Sequence, residues 1–322
     1  MSKLPPSSPL RVALLVAGRV PALQYGGTER VVPWLARELA RQGHAVTVIA
    51  GRGSYVPGAR MIFARSREEA LARVPLDVDL VHFHSWFAPG FKLPSLNTLH
   101  GNAPEAIGPG NWSFLSRDHA ERHGRTTFVY NGLPVEEHYF GAVKSPRYLF
   151  LAGISRAGKN VTRAIKLARD FDLELDIAGG NRWKLLTRSA VRRERAFFLS
   201  LDRRFRFHGM VGGWEKAKLF AEARAFLYPI RWEEPFGLVI VESLLAGTPV
   251  IATPRGAMPE LIHPDVGFLA SSDEDFAAAF DGVGAIHPRR CREYAAESFN
   301  IAKTAARYLA LYRRVLDGET LP

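Results

Sequence analysis

Short apolar runs alternate along this chain with longer segments in which apolar residues recur every three or four positions. In the first half the runs are Arg11 to Ala17, Ala45 to Ala50, Ala59 to Ala64, Leu80 to Phe83, Leu96 to Leu99 and Thr127 to Tyr130. Their β-branched and apolar content predicts strands. Between the first two, Val31, Val32, Leu35 and Leu39 form one stripe of a helix over 28–42, and Gly43 stands where glycine ends a helix. A polar stretch follows Asn131-Gly132-Leu133-Pro134, and after Pro146 the pattern restarts. RYLFLAG reads as a strand, NVTRAIKLARD as a helix and ELDIAGG as a second strand. Further strands are predicted at Arg206 to His208, Ala225 to Tyr228 and in PVIAT, with helices over 214–222 and, amphipathic, over 301–316.

Strand and helix in alternation predict α/β units around parallel sheets. The length, 322 residues, suits two such domains. We divide the chain into a flexible tail (1–9), an N-terminal Rossmann-like domain (10–138), a C-terminal Rossmann-like domain (139–299) and a closing helix (300–322) that packs back on the first domain.

Composition narrows the function classes. Hydrophobic residues make up 47% and charged residues 23%, with no apolar run of the roughly 18 residues a membrane span needs. A lone cysteine, Cys291, excludes an intramolecular disulfide framework and points to the cytoplasm. The net charge of +11 favours anionic partners: phosphates, nucleic acid or an acidic membrane face. Nine of the 25 residues from Arg182 to Arg206 are Lys or Arg, yet Trp183, Leu186, Ala190, Phe197 and Leu201 recur at helical spacing. That segment reads as an amphipathic helix with a solvated basic face rather than a dedicated polyanion site.

Three glycine-containing turns follow strands, where backbone N–H groups and a helix start can approach an anion. The first is Tyr25-Gly26-Gly27-Thr28, which lacks the GxGxxG spacing of dinucleotide-binding folds. The second runs from Gly153 to Asn160 and sets Arg156 and Lys159 where they could clamp a diphosphate. Asn160 replaces the hydroxyl residue an ATPase loop needs for magnesium. The third, Glu234-Pro235-Phe236-Gly237-Leu238, begins a helix whose free N–H groups suit a phosphate. Glu234 stands before that helix and Glu242 inside it, where carboxylates could accept hydrogen bonds from sugar hydroxyls.

The segment EPFGLVIVESLLAGTPVIAT resembles the signature of the retaining family 4 glycosyltransferases, which have the GT-B fold of two Rossmann-like parallel-sheet domains facing across a cleft. YGGTERVVPWLARELARQGHAVTVIAG is similar to that family's first loop and helix, and the likeness extends from about residue 11 to the closing helix. The resemblance implies a retaining, metal-independent transfer of a sugar from a nucleoside-diphosphate sugar, a UDP-sugar first, to an acceptor hydroxyl. No cofactor beyond this co-substrate is implied. Gly26 and Gly27 would lie beside the donor diphosphate, Arg156 and Lys159 would neutralise it, and the N–H groups of Phe236, Gly237 and Leu238 would complete its site. Glu234 would hold the donor sugar, Glu242 the ribose, and His100, at the end of a strand, would face the transferred sugar. The family opens its phosphate loop with Gly-Arg, whereas here Ile154 follows Gly153. The acceptor would be a small soluble molecule or a lipid-linked glycan, leaving room for a peripheral contact with the inner membrane face and implying no specific nucleic acid.

Other residues carry weaker signals. Asp77-Val78-Asp79 mimics a metal-binding DxD but precedes a strand, where a carboxylate caps the chain's entry into the sheet. His82 and His84 share a strand face without a third nominated zinc ligand. Trp86, Phe87, Phe91, Trp112 and Phe114 suit either core packing or sugar stacking. The rival functions are a nucleotide-sugar epimerase or a phosphorylase on the same scaffold, and a non-enzymatic basic polyanion-binding protein. For a phosphorylase the sequence shows no distinctive pyridoxal lysine.

Overall fold

The structure is a computed structural model that describes residues 8–22, 26–88, 90–103, 107–187 and 196–322. It divides into two compact units, Met1–Pro134 with Phe299–Pro322, and Val135–Ser298.

The first unit is built on a six-stranded parallel sheet. In chain order the strands are β1 (Arg11–Leu15), β2 (Ala45–Ala50), β3 (Arg60–Phe63), β4 (Leu80–Phe83), β5 (Ser95–Thr98) and β6 (Asn111–Ser113). Their order across the sheet is β3-β2-β1-β4-β5-β6. Parallel strands are covered on both faces, which is why β1 reads as a continuous apolar run. Its side chains nevertheless alternate between two cores. Val12 and Leu14 enter one with Val32, Leu35, Tyr308 and Tyr312, while Ala13 and Leu15 enter the other with Ile49, Val81 and Phe83.

The first of these cores is closed by two helices, Thr28–Arg41 and Ile301–Leu316. The second begins with Asn300 as N-cap, its side chain accepting from the Lys303 N–H. Backbone bonds from Leu133 N to Phe299 O (2.9 Å) and from Ile301 N to Leu133 O (3.1 Å) bring the returning chain into the unit. The boundaries between units fall after Pro134 and Ser298, where the pattern along the sequence places 138 and 299.

One expected strand is not a strand. The run Thr127 to Tyr130 makes only an isolated bridge, Phe114 to Phe128, and the sixth strand is Asn111–Ser113. Asn-Trp-Ser has no apolar run to announce it. Its pairing comes from register with β5, Asn97 opposite Trp112, which buries Trp112 and Ser113.

The second unit repeats the topology with β7 (Tyr148–Leu151), β8 (Leu175–Ala178), β9 (Phe205–Gly209), β10 (Phe226–Tyr228), β11 (Val250–Ala252) and β12 (Gly267–Leu269), ordered β12-β11-β10-β7-β8-β9. All pairs are parallel. In each unit the order reverses between the first and fourth strands. Ligands of doubly wound sheets bind outside the carboxyl ends of strands at that reversal. Of the expected basic helix, Lys184–Thr187 and Ala196–Leu199 are two short helices, and residues 188–195 lie outside the described residues. Among the described residues no helix is long and apolar enough to cross a membrane.

Candidate active site

In the second unit the reversal lies between β7 and β10, and the chain after each of these strands carries the candidate residues. Beyond β7, Gly153 to Arg156 lead into a single turn of 3-10 helix, Ala157–Lys159. Asn160 then takes a left-handed conformation (φ 59°) before the helix Val161–Asp170. Its side-chain amide donates to Pro229 O at 2.7 Å, tying this loop to the one after β10.

Lys159 is buried at 8% exposure, and its Nζ donates to the hydroxyl of Tyr228 (2.7 Å) and to the carboxylate of Glu234. Oε2 of Glu234 also accepts from Tyr228 Oη at 2.7 Å and from Trp232 Nε1 at 2.9 Å. The lysine ammonium lies 4.7 Å from the centre of the Trp232 ring, within cation–π range. A buried ion pair of this kind is held by surrounding hydrogen bonds that satisfy the remaining donors and acceptors. Burial pushes the Lys159 pKa below the ordinary lysine value, against the upward pull of Glu234; Arg156 pushes it down further.

Glu234 is also fixed through its backbone. Its carbonyl accepts from Ala257 N at 2.9 Å. Gly256 (φ +58°) approaches so closely that a Cβ there would stand 2.3 Å from both N and O of Glu234. Three residues on, Gly237 caps the helix Leu238–Leu245 with φ 100°, a conformation that favours glycine. At that helix start Ile240 N donates to Gly237 O at 3.0 Å, and a helix N-terminus as such favours an anion through its dipole. The Phe236 ring is in the core at 2% exposure.

Glu242 does not join this group. Its carboxylate is buried at 5% exposure and pairs at 2.6 Å with Lys216, on the helix Gly213–Glu222. The carboxylate is matched to a lysine 26 residues earlier in the chain. Arg156 and Lys159 likewise separate. The lysine is buried, whereas the arginine is exposed and runs along Gly153, its nearest side-chain carbon 3.5 Å from where a Cβ would be.

In the first unit, Gly26 and Gly27 precede the helix Thr28–Arg41, with Gly26 O accepting from Arg30 Nε at 2.7 Å. Tyr25, the start of that motif, lies outside the described residues. His100 follows β5, and its Nε2 is 2.9 Å from Nδ1 of His84, just beyond β4. Burial lowers the pKa of His100 to about 4, so the ring is neutral at physiological pH. His82 is held between Tyr312 Oη and Thr98 Oγ1, both at 2.7 Å, rather than beside an open ligand position. Asp79 accepts from the backbone N–H of Arg11 at 2.7 Å and pairs with its guanidinium, which ties β1 to the chain entering β4. Trp112 and Phe114 are core residues, while Phe87, partly buried, packs on Trp112 with ring centres 4.9 Å apart.

Three residues of these clusters carried no assigned role in the sequence: Tyr228, Trp232 and Lys216. Trp232 stands two residues before Glu234, so proximity to the motif was a usable signal. Tyr228 and Lys216 have none, because their partners are set by the ends of different elements.

Comparison with known proteins bears on the family and the fold. Residues 146–283 match the family described as Glycosyl transferases group 1. A D-inositol 3-phosphate glycosyltransferase of Mycobacterium marinum is 36% identical over 100 residues, covering 28% of this chain and 21% of that protein. The chain therefore spans a minor part of the length of such relatives. Among solved structures, AviGT4, a glycosyltransferase involved in avilamycin A biosynthesis, superposes with a TM-score of 0.79 at 23% identity, covering 98% of this chain and 100% of its own. Anabaena Alr3699/HepE in complex with UDP and glucose gives 0.70 at 14% identity, with 94% and 99% covered. Residues 146–283 of the second unit thus carry the match to the glycosyl transferases group 1 family, and the chain as a whole has the GT-B fold of these solved structures.

Proposed function

We propose that the chain transfers a sugar, with retention of anomeric configuration and without a metal ion, from a nucleoside-diphosphate sugar to an acceptor hydroxyl. The observation that carries this reading is the buried Lys159–Glu234 pair at the strand-order reversal of a group 1 domain, beside the helix start at Gly237. UDP is the first base to test, since the HepE structure holds UDP.

Departure of a nucleoside diphosphate puts negative charge on phosphate and positive charge on the sugar. In this reading Arg156, Lys159 and the N–H groups of Phe236, Gly237 and Leu238 stabilise the phosphate, a preorganised electrostatic contribution. Glu234 orients the sugar, Glu242 binds the ribose, and Gly26, Gly27 and His100 serve the donor from the first unit. The leaving phosphate accepts the acceptor's proton on the same face of the sugar, so no protein base is assigned. The acceptor is a small hydroxylated molecule or a lipid-linked glycan, met in the cytoplasm or at the inner membrane face.

The test is thermal unfolding with UDP, GDP, ADP and dTDP, each with and without EDTA, beside Glu242→Ala. A ligand at about 100 times its Kd adds about 2.7 kcal/mol of stability. Selective stabilisation by one diphosphate, insensitive to EDTA and lost in the variant, supports the reading. An NMR assay of the product anomer then tests retention. Binding of polyanions that survives Glu242→Ala, with no response to any diphosphate, would replace it by the polyanion-binding reading.

A further inference from the structure

We infer that His84 holds His100 in the tautomer protonated on Nδ1, so that His100 meets its ligand as a hydrogen-bond donor and not as a base. His84 is a positioning residue. The ligand class is an uncharged oxygen acceptor, a hydroxyl or ring oxygen of a sugar, and only that last assignment rests on the proposed function.

The contact between the rings is 2.9 Å, from His84 Nδ1 to His100 Nε2. Burial lowers the pKa of both rings, so both are neutral near pH 7 and a single proton lies between the two nitrogens. Two arrangements are then open. If His100 donates from Nε2, His84 must carry its own proton on Nε2. That atom is buried, in a side chain 2% exposed, and finds no hydrogen-bond partner among the described residues. If His84 donates from Nδ1, its Nε2 is a bare lone pair. An orphaned buried N–H is rarer in proteins than an under-satisfied acceptor, and the second arrangement avoids it. His100 then accepts at Nε2 and carries its proton on Nδ1, the ring nitrogen that His84 leaves available.

The orientation of His84 is itself determined. Turning its ring over would set a carbon against His100 Nε2 and lose the bond. The ring lies 3.9 Å, centre to centre, from His82, which is clamped by Tyr312 on the closing helix and Thr98 on β5. The tautomer of His100 is therefore set by packing that reaches from the sheet to the last helix of the chain. An Nδ1–H donor can fix the position of a sugar oxygen, and it leaves the proton of the acceptor hydroxyl to another group.

Long-range 1H–15N correlation spectra of the histidine side chains at pH 7.5 decide the matter without substrate, with His100→Gln assigning the signals. The pattern of an Nδ1–H ring for His100 is expected; an Nε2–H pattern overturns the inference. His84→Asn keeps an N–H donor near the position of Nδ1 and is expected to preserve the pattern, whereas His84→Leu is expected to release it. In a transfer assay His84→Leu should lower kcat on the order of tenfold, the size of effect seen when a residue orienting a liganding histidine is lost. KM for the donor should stay within about twofold, and His84→Asn should restore kcat. Equal losses in both variants would overturn the positioning role. Absence of transfer by the wild-type protein would refute the proposed function, while the spectra would still decide the tautomer.

Discussion

Replacing Glu234 by alanine tests the centre of the candidate site most directly. The substitution removes the carboxylate that accepts from Lys159, Tyr228 and Trp232, and leaves an ammonium at 8% exposure without its counter-charge. Breaking a buried pair from one side costs about 3–5 kcal/mol. For a unit of this size about 1 kcal/mol moves Tm by roughly 2–4 °C, so the expected drop is on the order of 6–20 °C. The loss has a ceiling that depends on pH. Burial already lowers the pKa of Lys159, and Glu234 is the group that opposes it. Without Glu234 the lysine escapes by deprotonating, which each pH unit makes easier by about 1.4 kcal/mol. Urea unfolding of wild type, Glu234→Ala, Lys159→Met and the double variant, at pH 7 and pH 9, gives the cycle. The double variant should be less destabilised than the two single losses summed, with a coupling of at least about 2 kcal/mol at pH 7 that shrinks at pH 9. A destabilisation below about 1 kcal/mol, or coupling independent of pH, would refute the buried-pair argument.

Gly256→Ala should damage the same site through the backbone, since its Cβ would fall 2.3 Å from the N and O of Glu234; a loss of about 2 kcal/mol or more in urea unfolding is expected. Gly27→Ala, where a Cβ meets nothing within 4 Å, should stay within about 0.5 kcal/mol. Tyr228→Phe removes one hydroxyl that accepts from Lys159 and donates to Glu234, and should cost about 1–3 kcal/mol by the same measurement. Acid should weaken the first unit: His119, 0% exposed, has its pKa lowered to about 3, chiefly by burial. Below pH 6.5 the unfolded chain then binds protons the folded one refuses, so stability is complete above about pH 6.5 and falls towards pH 3. At pH 5 this one group costs up to about 2 kcal/mol, and equal Tm at pH 7.5 and pH 5 would contradict it.

Much of the fold is local chemistry and could be read along the chain. The stripe Val31, Val32, Leu35 and Leu39 reports a helix because side chains three and four apart share a face, and the observed helix is Thr28–Arg41. The run from Leu80 to Phe83 reports a strand buried on both faces, which is what a parallel sheet demands. The helix from Ile301 to Leu316 carries its pattern in the same way. Where an element owes its existence to a neighbour, the pattern is silent. Asn111–Ser113 is a strand because β5 offers it an edge, and the apolar run at Thr127 to Tyr130 is not one because only Phe128 meets a bridge partner there.

The candidate site divides along the same line. Glu234, Gly237, Lys159 and Glu242 are nameable from the sequence because their glycines, turns and helix start are neighbours in the chain. That Lys159 and Glu234, 75 residues apart, share one buried proton-rich knot with Tyr228 and Trp232 could not be read there. Nor could the matching of Glu242 to Lys216 or of His84 to His100. The sequence by itself determined the two α/β units and the turns that end their strands, since periodicity and backbone conformation are properties of a few adjacent residues. Tertiary structure alone decided which charges neutralise one another and which ring nitrogen holds a proton, because these depend on which strand ends converge and on how much water is left between them.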